Sequence, residues 1–413
     1  MTATILRGDA RALPLADASV DLVVTSPPYW ALRSYTDGGE HYDGQIGAEP
    51  GPAAYIDSLI DCTREWMRVL KPGGSIWVNL GDSYSGQPPG RQGATGQRAT
   101  RSSANVPHKA RRERADTAPG KSLRLLPERY RIACVDQLCL IARAVVIWSK
   151  PNGLPESVTD RVRRSHEDWV HLVKQPRYFA AVDAIREPSE ERRGLVSWAD
   201  RRVAGHPPRY GEQVISTGPG MLGHPLGKLP GSVREVATQP LKVPAELGVD
   251  HFAAFPMEWP RWIISGWSPA GICTACGEGR RPVKVTEKYL HRPSGAKYLD
   301  NPGGTEVWGN KTSNIRSVHE VIGEACACPE PSAPTRPAVV LDPFGGTGTT
   351  ALVAHALGRH GISVDMSADY CRLAAWRTTD PGQLAAALQV EKPPTEQVGQ
   401  LDLFAPRAEE GAA

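Results

Sequence analysis

The sequence predicts an α/β fold with a mostly parallel, doubly wound sheet, and three stretches carry that prediction. Residues 22–24 are an apolar run that ends at Ser-Pro-Pro-Tyr, as expected of a buried parallel strand followed by a rigid loop. Residues 339–341 are a second such run, which leads through a glycine-rich turn into a helix. Between them, 53–70 has apolar residues at helical spacing and precedes the apolar strand at 75–80. Such sheets place their chemistry at the carboxyl ends of the strands.

The other elements follow from the same patterns in chain order. Lys-Pro-Gly-Gly at 71–74 is predicted to stop the first helix as a turn. The remaining predicted elements are strands at 5–10, 143–148, 169–173, 177–179 and 361–364, and helices at 130–140, 349–357 and 370–377.

Length and charge limit the class of protein. The 413 residues are enough for two domains or for one large α/β domain with insertions. Neither an apolar run of membrane-spanning length nor the basic and apolar regions of a signal peptide are present, so we expect a soluble, cytoplasmic protein without a membrane partner. The net charge of +3 is only mildly basic, and contact with a polyanion must therefore depend on local clusters.

Ser26, Pro27, Pro28 and Tyr29 are the candidate catalytic residues. The prolines have a fixed φ and no N–H, so the turn is stiff and presents carbonyl oxygens beside the hydroxyl of Ser26. Two acceptors next to an aromatic ring suit a flat base with an exocyclic amine. Accepting both N–H bonds favours a pyramidal nitrogen, while Tyr29 stacks on the base. On these four residues alone, a simple turn after a strand is the alternative.

This turn resembles the Ser/Asp/Asn-Pro-Pro-Tyr/Phe motif of the S-adenosylmethionine-dependent DNA amino-methyltransferases. LKPGG at 70–74 and NLGDSY at 79–84 are similar to segments of the same family. The resemblance implies a Rossmann-like methyltransferase fold, duplex DNA as substrate, flipping of the target base and direct in-line attack by its amine. Ser26, with Trp30 after the tyrosine, resembles the cytosine-N4-specific members more closely. Cytosine N4 is therefore the expected target, and adenine N6 is the alternative.

The stretch AVVLDPFGGTGTT at 338–350 is predicted to bind the cofactor. Its glycines allow the backbone to approach a ligand closely. After the glycines, a phosphate loop would have a lysine, whereas this sequence has Thr349 and Thr350, so binding of a nucleoside triphosphate is disfavoured. A dinucleotide-binding fold is the main alternative for this stretch. Asp-Pro-Phe at the strand end resembles the methyltransferase motif instead. Asp365, at the end of the next strand, stands at a suitable distance to accept the ribose hydroxyls of an adenosyl group.

The resemblance thus implies S-adenosyl-L-methionine as the cofactor. Asp9 is expected to accept from its adenine amino group, with a capping role in a turn as an equal alternative. The segment HFAAFPMEWPRW at 251–262 is similar to one that covers the methionine part of the cofactor in this family, although Met257 departs from the pattern. The expected cofactor-binding residues are Asp9, Asp342, Pro343, Phe344, Gly346, Thr347, Gly348, Asp365 and Phe252.

The order of the motifs resembles the beta group of the family, with the Pro-Pro turn first and the glycine turn last. We therefore expect a circularly permuted motif order with an inserted recognition region and a small zinc-binding insert. The predicted divisions are 1–186 for the catalytic half, with a flexible basic loop at about 85–121, 187–247 for target recognition, 248–272 for a cofactor-side segment, 273–328 for the zinc-binding insert, 336–380 for the S-adenosylmethionine-binding half and 391–413 for a disordered tail.

Four of the eight cysteines predict a metal site. Cys273-x-x-Cys276 and Cys326-x-Cys328 are two close pairs, which in a reducing compartment indicate structural zinc more than disulfides. Four thiolates complete a tetrahedral site and leave no open position, so a catalytic metal is not expected. Unliganded thiols are the alternative.

Two further segments are predicted to contact partners. The loop at about 85–121 has eight lysines and arginines against two acidic residues, and it is expected to close on a phosphate backbone, with a solvated insertion as the alternative. The tail peptide Gln400, Leu401, Asp402, Leu403, Phe404 resembles the peptide by which bacterial proteins hold the replication sliding clamp, with a chance apolar cluster as the alternative. The family resemblance also implies a companion restriction endonuclease and a bacterial or phage protein associated with the nucleoid.

His166 and Glu167 are expected to be structural. The chemistry needs no strong base, because the methylated nitrogen becomes acidic once it is cationic. Two other functions compete with this prediction. One is a zinc-containing DNA-binding protein without catalysis, and the other is a methyltransferase for RNA or protein amides, which the chain order disfavours.

Overall fold

A computed structural model gives the fold of most of the chain. It describes residues 3–32, 35–38, 40–41, 43–86, 118–188, 226–241, 243–249, 254–290, 315–326, 328, 330 and 332–391. Several predicted features lie outside the described residues, namely most of the basic loop, at 87–117, most of the recognition region, at 189–225, Phe252, and the tail peptide at 400–404.

Most of the described strands belong to one large sheet. The strands are β1 (Thr4–Arg7), β2 (Val20–Thr25), β3 (Thr36–Asp37), β4 (Glu40–His41), β5 (Leu70–Leu80), β6 (Ile141–Ser149), β7 (His166–Val173), β8 (Val233–Glu235), β9 (Ile272–Cys273), β10 (Arg281–Leu290), β11 (Ile315–Ala325), β12 (Thr335–Arg336), β13 (Val339–Asp342) and β14 (His360–Asp365). The large sheet has the order β1-β14-β13-β2-β5-β7-β6-β8, and within it only β7 runs antiparallel to its neighbours. This arrangement confirms the prediction of an α/β fold with a mostly parallel sheet.

The two ends of the chain build the middle of this sheet together. β13 pairs with β14 on one side and with β2 on the other, where Val340 lies beside Leu22. β1 pairs with β14 at the sheet edge. Because all these strands are parallel, their carboxyl ends and the loops that follow them lie along one edge.

Helices cover both faces of the sheet. The described helices are α1 (Pro52–Val69), α2 (Leu126–Leu138), α3 (Glu258–Trp267), α4 (Thr349–Ala356), α5 (Ala368–Thr379) and α6 (Pro381–Leu388). Val23 packs into a core with α1 and α2, whereas Leu22 and Val24 pack into a second core with α3 and α4. The alternation of side chains along a strand explains this division, and burial on both faces explains the continuous apolar run of β2.

Three local predictions were wrong. Lys-Pro-Gly-Gly at 71–74 does not form a separate turn, because β5 begins at Leu70 and absorbs these residues as an irregularity in its pairing with β2. The second helix begins and ends earlier than predicted. Its start is fixed by Asp82, which accepts hydrogen bonds from the N–H groups of Leu125 and Leu126. Residues 177–179 are not a strand, since Gln175 bonds locally to the Arg177 carbonyl.

The cysteine-containing segment contributes two small ladders outside the large sheet. β9 and β12 pair as a short antiparallel ladder, and β10 and β11, which lie between them in the chain, pair antiparallel with each other. Within the described part of the chain, none of the helices combines the length and the apolar character needed to cross a bilayer.

Candidate functional site

The Pro-Pro turn after β2 and the glycine turn after β13 meet at the carboxyl edge of the sheet. The Thr25 hydroxyl, one residue before the Pro-Pro turn, donates a hydrogen bond of 2.6 Å to Asp342 Oδ1. Asp342 Oδ2 accepts from the Thr350 hydroxyl at 2.8 Å, at the start of α4. The chain thus joins residues more than 300 positions apart through one buried carboxylate.

Asp342 holds the two turns together from inside the protein. It is 1% exposed, and besides the two threonines it accepts from the Phe344 N–H at 3.1 Å. Burial raises the pKa of Asp342 to about 6, against which these hydrogen bonds act. These three hydrogen bonds fix the position of the carboxylate, and its predicted contact with a cofactor stays a prediction.

Neighbouring groups fix the Pro-Pro turn in place. The Tyr55 hydroxyl donates to the Pro28 carbonyl at 3.0 Å, whereas no described group donates to the carbonyl of Pro27. Gly81 lies against the ring of Tyr29, where a Cβ atom would come within 2.7 Å of the ring. The turn is therefore rigid, and the carbonyl of Pro27 is an acceptor without a donor among the described residues.

Asn79, near the end of β5, connects two of the candidate catalytic residues, Ser26 and Tyr29. Its Oδ1 accepts from Ser26 Oγ at 3.3 Å and lies 2.9 Å from the Tyr29 hydroxyl. The Asn79 amide donates to the Asp168 carbonyl at 3.2 Å, which fixes the orientation of the amide. Sequence reasoning did not single out Asn79. An amide at the penultimate position of an apolar strand was the available signal.

Glu167 and Lys150 form a second group beside Tyr29. Glu167 Oε2 lies 2.8 Å from the Tyr29 hydroxyl, and its other oxygen forms an ion pair with the Lys150 ammonium. Lys150 also lies 4.1 Å from the centre of the Trp148 ring. Burial alone would raise the pKa of Glu167, but Lys150 and the Tyr29 hydrogen bond outweigh it, and the pKa is lowered. Glu167 is therefore an ionised acceptor, which agrees with its predicted structural role.

The glycine turn is built for close backbone packing. A Cβ atom on Gly345 would lie 1.8 Å from Ser363 Oγ, so no other residue fits there. Gly348 has a φ of 73° and caps α4, a conformation that favours glycine. Gly346 and Ser367 donate their N–H groups to Asp365, both at 2.9 Å. Pro343, Thr347 and Gly348 are buried in the turn.

Asp365 ends β14, and Asp9 lies two residues after the neighbouring strand β1, at the same edge of the sheet. Burial raises the pKa of Asp365, and the N–H groups that it accepts from oppose that rise. Asp9 accepts from the backbone and side chain of Arg11 and forms an ion pair with it at 2.6 Å. The structure thus places Asp9 in a local turn, the alternative that the sequence left open, while its contact with an adenine stays a prediction.

Phe344 directly precedes the glycine turn and packs against the protein core. Its ring lies edge-on to Trp66 of α1, with 6.0 Å between ring centres. It is half-buried, and its predicted contact with a cofactor remains a prediction.

The four predicted cysteine ligands come together. The Sγ atoms of Cys273, Cys276, Cys326 and Cys328 all lie within 4.8 Å of one another. β12 precedes the start of β13 by only a few residues and pairs with the strand that contains Cys273. The cluster therefore lies toward the amino ends of the parallel strands, away from the edge that holds Ser26.

Comparison with a family model identifies the same regions. Residues 20–271 and 332–375 match the model of a family described as DNA methylase. These two segments contain both turns, Asn79 and Glu167. The interval between them contains all four clustered cysteines.

Two relatives show how far the similarity extends. The type II methyltransferase M.Cfr9I of Citrobacter freundii is 37% identical over 193 residues, which cover 46% of this chain and 60% of that protein. The type II methyltransferase M.SmaI of Serratia marcescens is 29% identical over 379 residues, which cover 90% of this chain and 89% of that protein. The chain therefore matches 60% of the length of the first relative and most of the second.

A solved structure shares the fold. The structure described as PvuII DNA methyltransferase (cytosine-N4-specific) aligns with a TM-score of 0.50 and 15% sequence identity, covering 94% of this chain and 92% of that one. At this identity the likeness concerns the fold alone.

Proposed function

Because this chain belongs to the DNA methylase family, we propose that it transfers a methyl group from S-adenosyl-L-methionine to an exocyclic amine in duplex DNA, after flipping the base out of the helix. The observation that carries the proposal is the hydrogen bond of 2.6 Å between Thr25 and Asp342, which ties the amine-accepting turn to the glycine turn. The proposal includes a circularly permuted motif order, supported by the position of the acceptor turn, which precedes the glycine turn by most of the chain.

The hydrogen bonds around Ser26 favour an amine as the group that is methylated. Ionised Glu167 takes the single proton of the Tyr29 hydroxyl, so Asn79 Oδ1 is left to accept from Ser26. The lone pairs of Ser26 Oγ, together with the free carbonyl of Pro27, then accept the two N–H bonds of the amine. A pyramidal nitrogen results, with its lone pair directed at the methyl donor. The ring of Tyr29 stacks on the flipped base.

The glycine turn and Asp365 fit an adenosyl group. The tight turn at 345–348 brings backbone N–H groups to the strand edge, and Asp365 has acceptor capacity left for ribose hydroxyls. When bound, S-adenosyl-L-methionine supplies a methyl group that its sulfonium has already activated. The residues of this chain then need only to hold donor and amine in line, so Glu167 and His166 have no proton to remove in the transfer step.

We expect N4 of cytosine to be the methylated position, because Ser26 and Trp30 resemble the cytosine-specific pattern. Unmethylated genomic DNA incubated with the protein and the donor should yield N4-methylcytosine when its nucleosides are analysed by mass spectrometry. A reaction without the donor is the control. Detection of N6-methyladenine alone would contradict this prediction and would identify adenine N6 as the methylated position.

The same experiment tests the inactive alternative. A DNA-binding protein without catalysis would give neither methylated nucleoside, and calorimetry would then detect no binding of S-adenosyl-L-methionine. That combination would contradict the proposed function.

The proposal also covers the binding partners of the protein and its location in the cell. The basic loop would contact DNA phosphates, and the region at 187–247 would read the target sequence. Arg161 and Arg124 lie 3.8 Å and 4.9 Å from the ring centres of Tyr84 and Trp30, so cationic groups already line the described base of that loop. The proposed partners are a companion restriction endonuclease and, through residues 400–404, a sliding clamp. A DNA substrate would place the protein in the cytoplasm, at the nucleoid of a bacterium.

Structural zinc is proposed at Cys273, Cys276, Cys326 and Cys328. Zinc–sulfur bonds of about 2.3 Å in a tetrahedron put the sulfur atoms about 3.8 Å apart. The observed cluster, with all Sγ atoms within 4.8 Å, fits that arrangement after little contraction. Because these thiols occupy a small unit that joins α3 to β13, zinc would stabilise the fold there.

The zinc prediction has a direct test. Native mass spectrometry should show one zinc per chain, and replacing Cys276 and Cys326 with serine should remove it and lower the melting temperature. Cys139→Ser is the matched control, since Cys139 is an exposed free cysteine outside the cluster. Retention of zinc by the double variant, or a zinc-free wild-type protein after expression with added zinc, would contradict the proposal.

A further inference from the structure

Arg377 of α5 is a buried cation without an acidic partner. Its side chain is 3% exposed, and no described Asp or Glu forms an ion pair with it. Burial lowers the pKa of Arg377 to about 10, still well above neutrality, so the guanidinium remains charged. A buried charge is stable only when other groups compensate it.

Described groups of the protein accept hydrogen bonds from only two of the three guanidinium nitrogens of Arg377. Nη1 donates to the hydroxyls of Thr347 at 2.9 Å and Thr349 at 2.6 Å, and Nε donates to Gln383 at 3.1 Å. No described group accepts from Nη2. All the acceptors that Arg377 finds in the described part of the chain are neutral, so none of these groups compensates its positive charge.

A second source of positive potential lies at the same place. Thr347 and Thr349 flank the amino end of α4, whose cap, Gly348, provides no side-chain hydrogen bond. The partial positive charge of a helix amino terminus therefore adds to the charge of Arg377. Two positive groups that face each other inside a protein favour a bound anion.

The guanidinium lines a pocket next to the proposed cofactor turn. The pocket is lined by Gln239, Leu241, Phe255, Met257, Arg377 and Gln383 among others. Its walls are mainly apolar side chains, with the guanidinium and two amides as polar groups. A short carbon chain that ends in an anion matches that combination.

We propose that Arg377 binds the carboxylate of the methionine part of the methyl donor, an inference that rests on the proposed function. Asp365 and Gly346 mark the adenosyl end, and Thr347 is the next residue toward Arg377. The donor has a single carboxylate, and it lies at the end opposite the adenine. A DNA phosphate is the competing anion, but a side chain that is 3% exposed lies out of reach of a nucleic-acid backbone.

Binding of two ligands that differ by one carboxylate tests this inference. Calorimetry would compare S-adenosylmethionine with decarboxylated S-adenosylmethionine in the wild-type protein and in Arg377→Gln. We expect the wild type to bind the complete donor about 30-fold more tightly, as expected of charge-assisted hydrogen bonds. Arg377→Gln should lose about that factor for the complete donor and retain its affinity for the decarboxylated one.

The other outcomes separate the possible explanations. An equal loss for both ligands would mean that Arg377 only supports the glycine turn, and equal affinities in the wild type would overturn the inference even if Arg377→Gln fails to fold. Failure of the wild type to bind either ligand would contradict the proposed function itself. Arg377→Lys should recover part of the discrimination. Arg359→Gln, which removes a guanidinium bonded to the carbonyls of Leu357 and Ser268, should leave it unchanged.

Discussion

Tyr29→Ala is expected to lower the single-turnover rate of methyl transfer by about a thousandfold while the affinity for S-adenosylmethionine stays unchanged. The ring is the surface on which the flipped base stacks, and it holds the amine in line with the donor. Misplacing reacting groups by about 1 Å costs on the order of a hundredfold, and lost contacts to the transition state add to that. Rapid-quench measurement of methyl incorporation into duplex DNA, with excess enzyme, gives the rate.

Tyr29→Phe is the matched control for this prediction. It keeps the ring and removes only the hydroxyl that lies 2.9 Å from Asn79 and 2.8 Å from Glu167. A loss of about fivefold is expected, since one hydrogen bond is worth about 1 kcal/mol. If Tyr29→Ala transferred methyl groups within tenfold of the wild-type rate, stacking on Tyr29 would not be part of the mechanism.

Lys150→Met is expected to destabilise the fold by about 3 kcal/mol, because it leaves the carboxylate of Glu167 buried without its cation. The side chains of Lys150 and Glu167 are 19% and 13% exposed, so solvent screens the pair only weakly. Urea unfolding at neutral pH measures the change. Lys150→Met combined with Glu167→Gln should recover most of the stability, because the uncompensated charge is gone.

The Lys150–Glu167 ion pair also predicts how the free energy of unfolding changes with pH. The pKa of Glu167 is lowered in the folded protein, so its ion pair stabilises the wild type above the ordinary glutamate pKa of about 4.3, and this contribution is lost as the pH falls through the folded-state value. In Lys150→Met, burial is opposed only by the weaker effects of the Tyr29 hydrogen bond and Arg164, so the pKa of Glu167 rises and the variant should lose less stability on acidification. Lys121→Met, which breaks an exposed pair with Asp160, should change neither quantity. Equal pH profiles for Lys150→Met and the wild type would contradict the account.

Local patterns predicted the strands and turns that carry the site. β2 and β13 contain the apolar runs 22–24 and 339–341 because both faces of the sheet are covered, and such runs are visible in one dimension. The sequence at 71–74 led to a wrong prediction because a local pattern does not show which strand a segment pairs with. Lys-Pro-Gly-Gly favours a turn, but pairing with β2 absorbs it into β5.

The partners of the site residues could not be predicted in the same way. Lys150 directly follows β6 and Glu167 belongs to β7, and only the antiparallel pairing of these strands brings their side chains beside Tyr29. Asp342 was predicted from a family resemblance, yet its contacts with Thr25 and Thr350 depend on the adjacency of β2 and β13. Arg377 gave no signal, because an arginine late in a helix usually lies at the surface.

A crystal structure with bound S-adenosylhomocysteine would test the central claim, that the two ends of the chain form one site for donor and base. The sulfur marks the donor. We predict it at the carboxyl edge between Ser26 and Phe344, within about 8 Å of Ser26 Oγ, which is roughly the sum of a hydrogen bond, a near-attack distance and a sulfur–carbon bond. A sulfur bound at another edge of the sheet, or about 15 Å or more from Ser26, would contradict it.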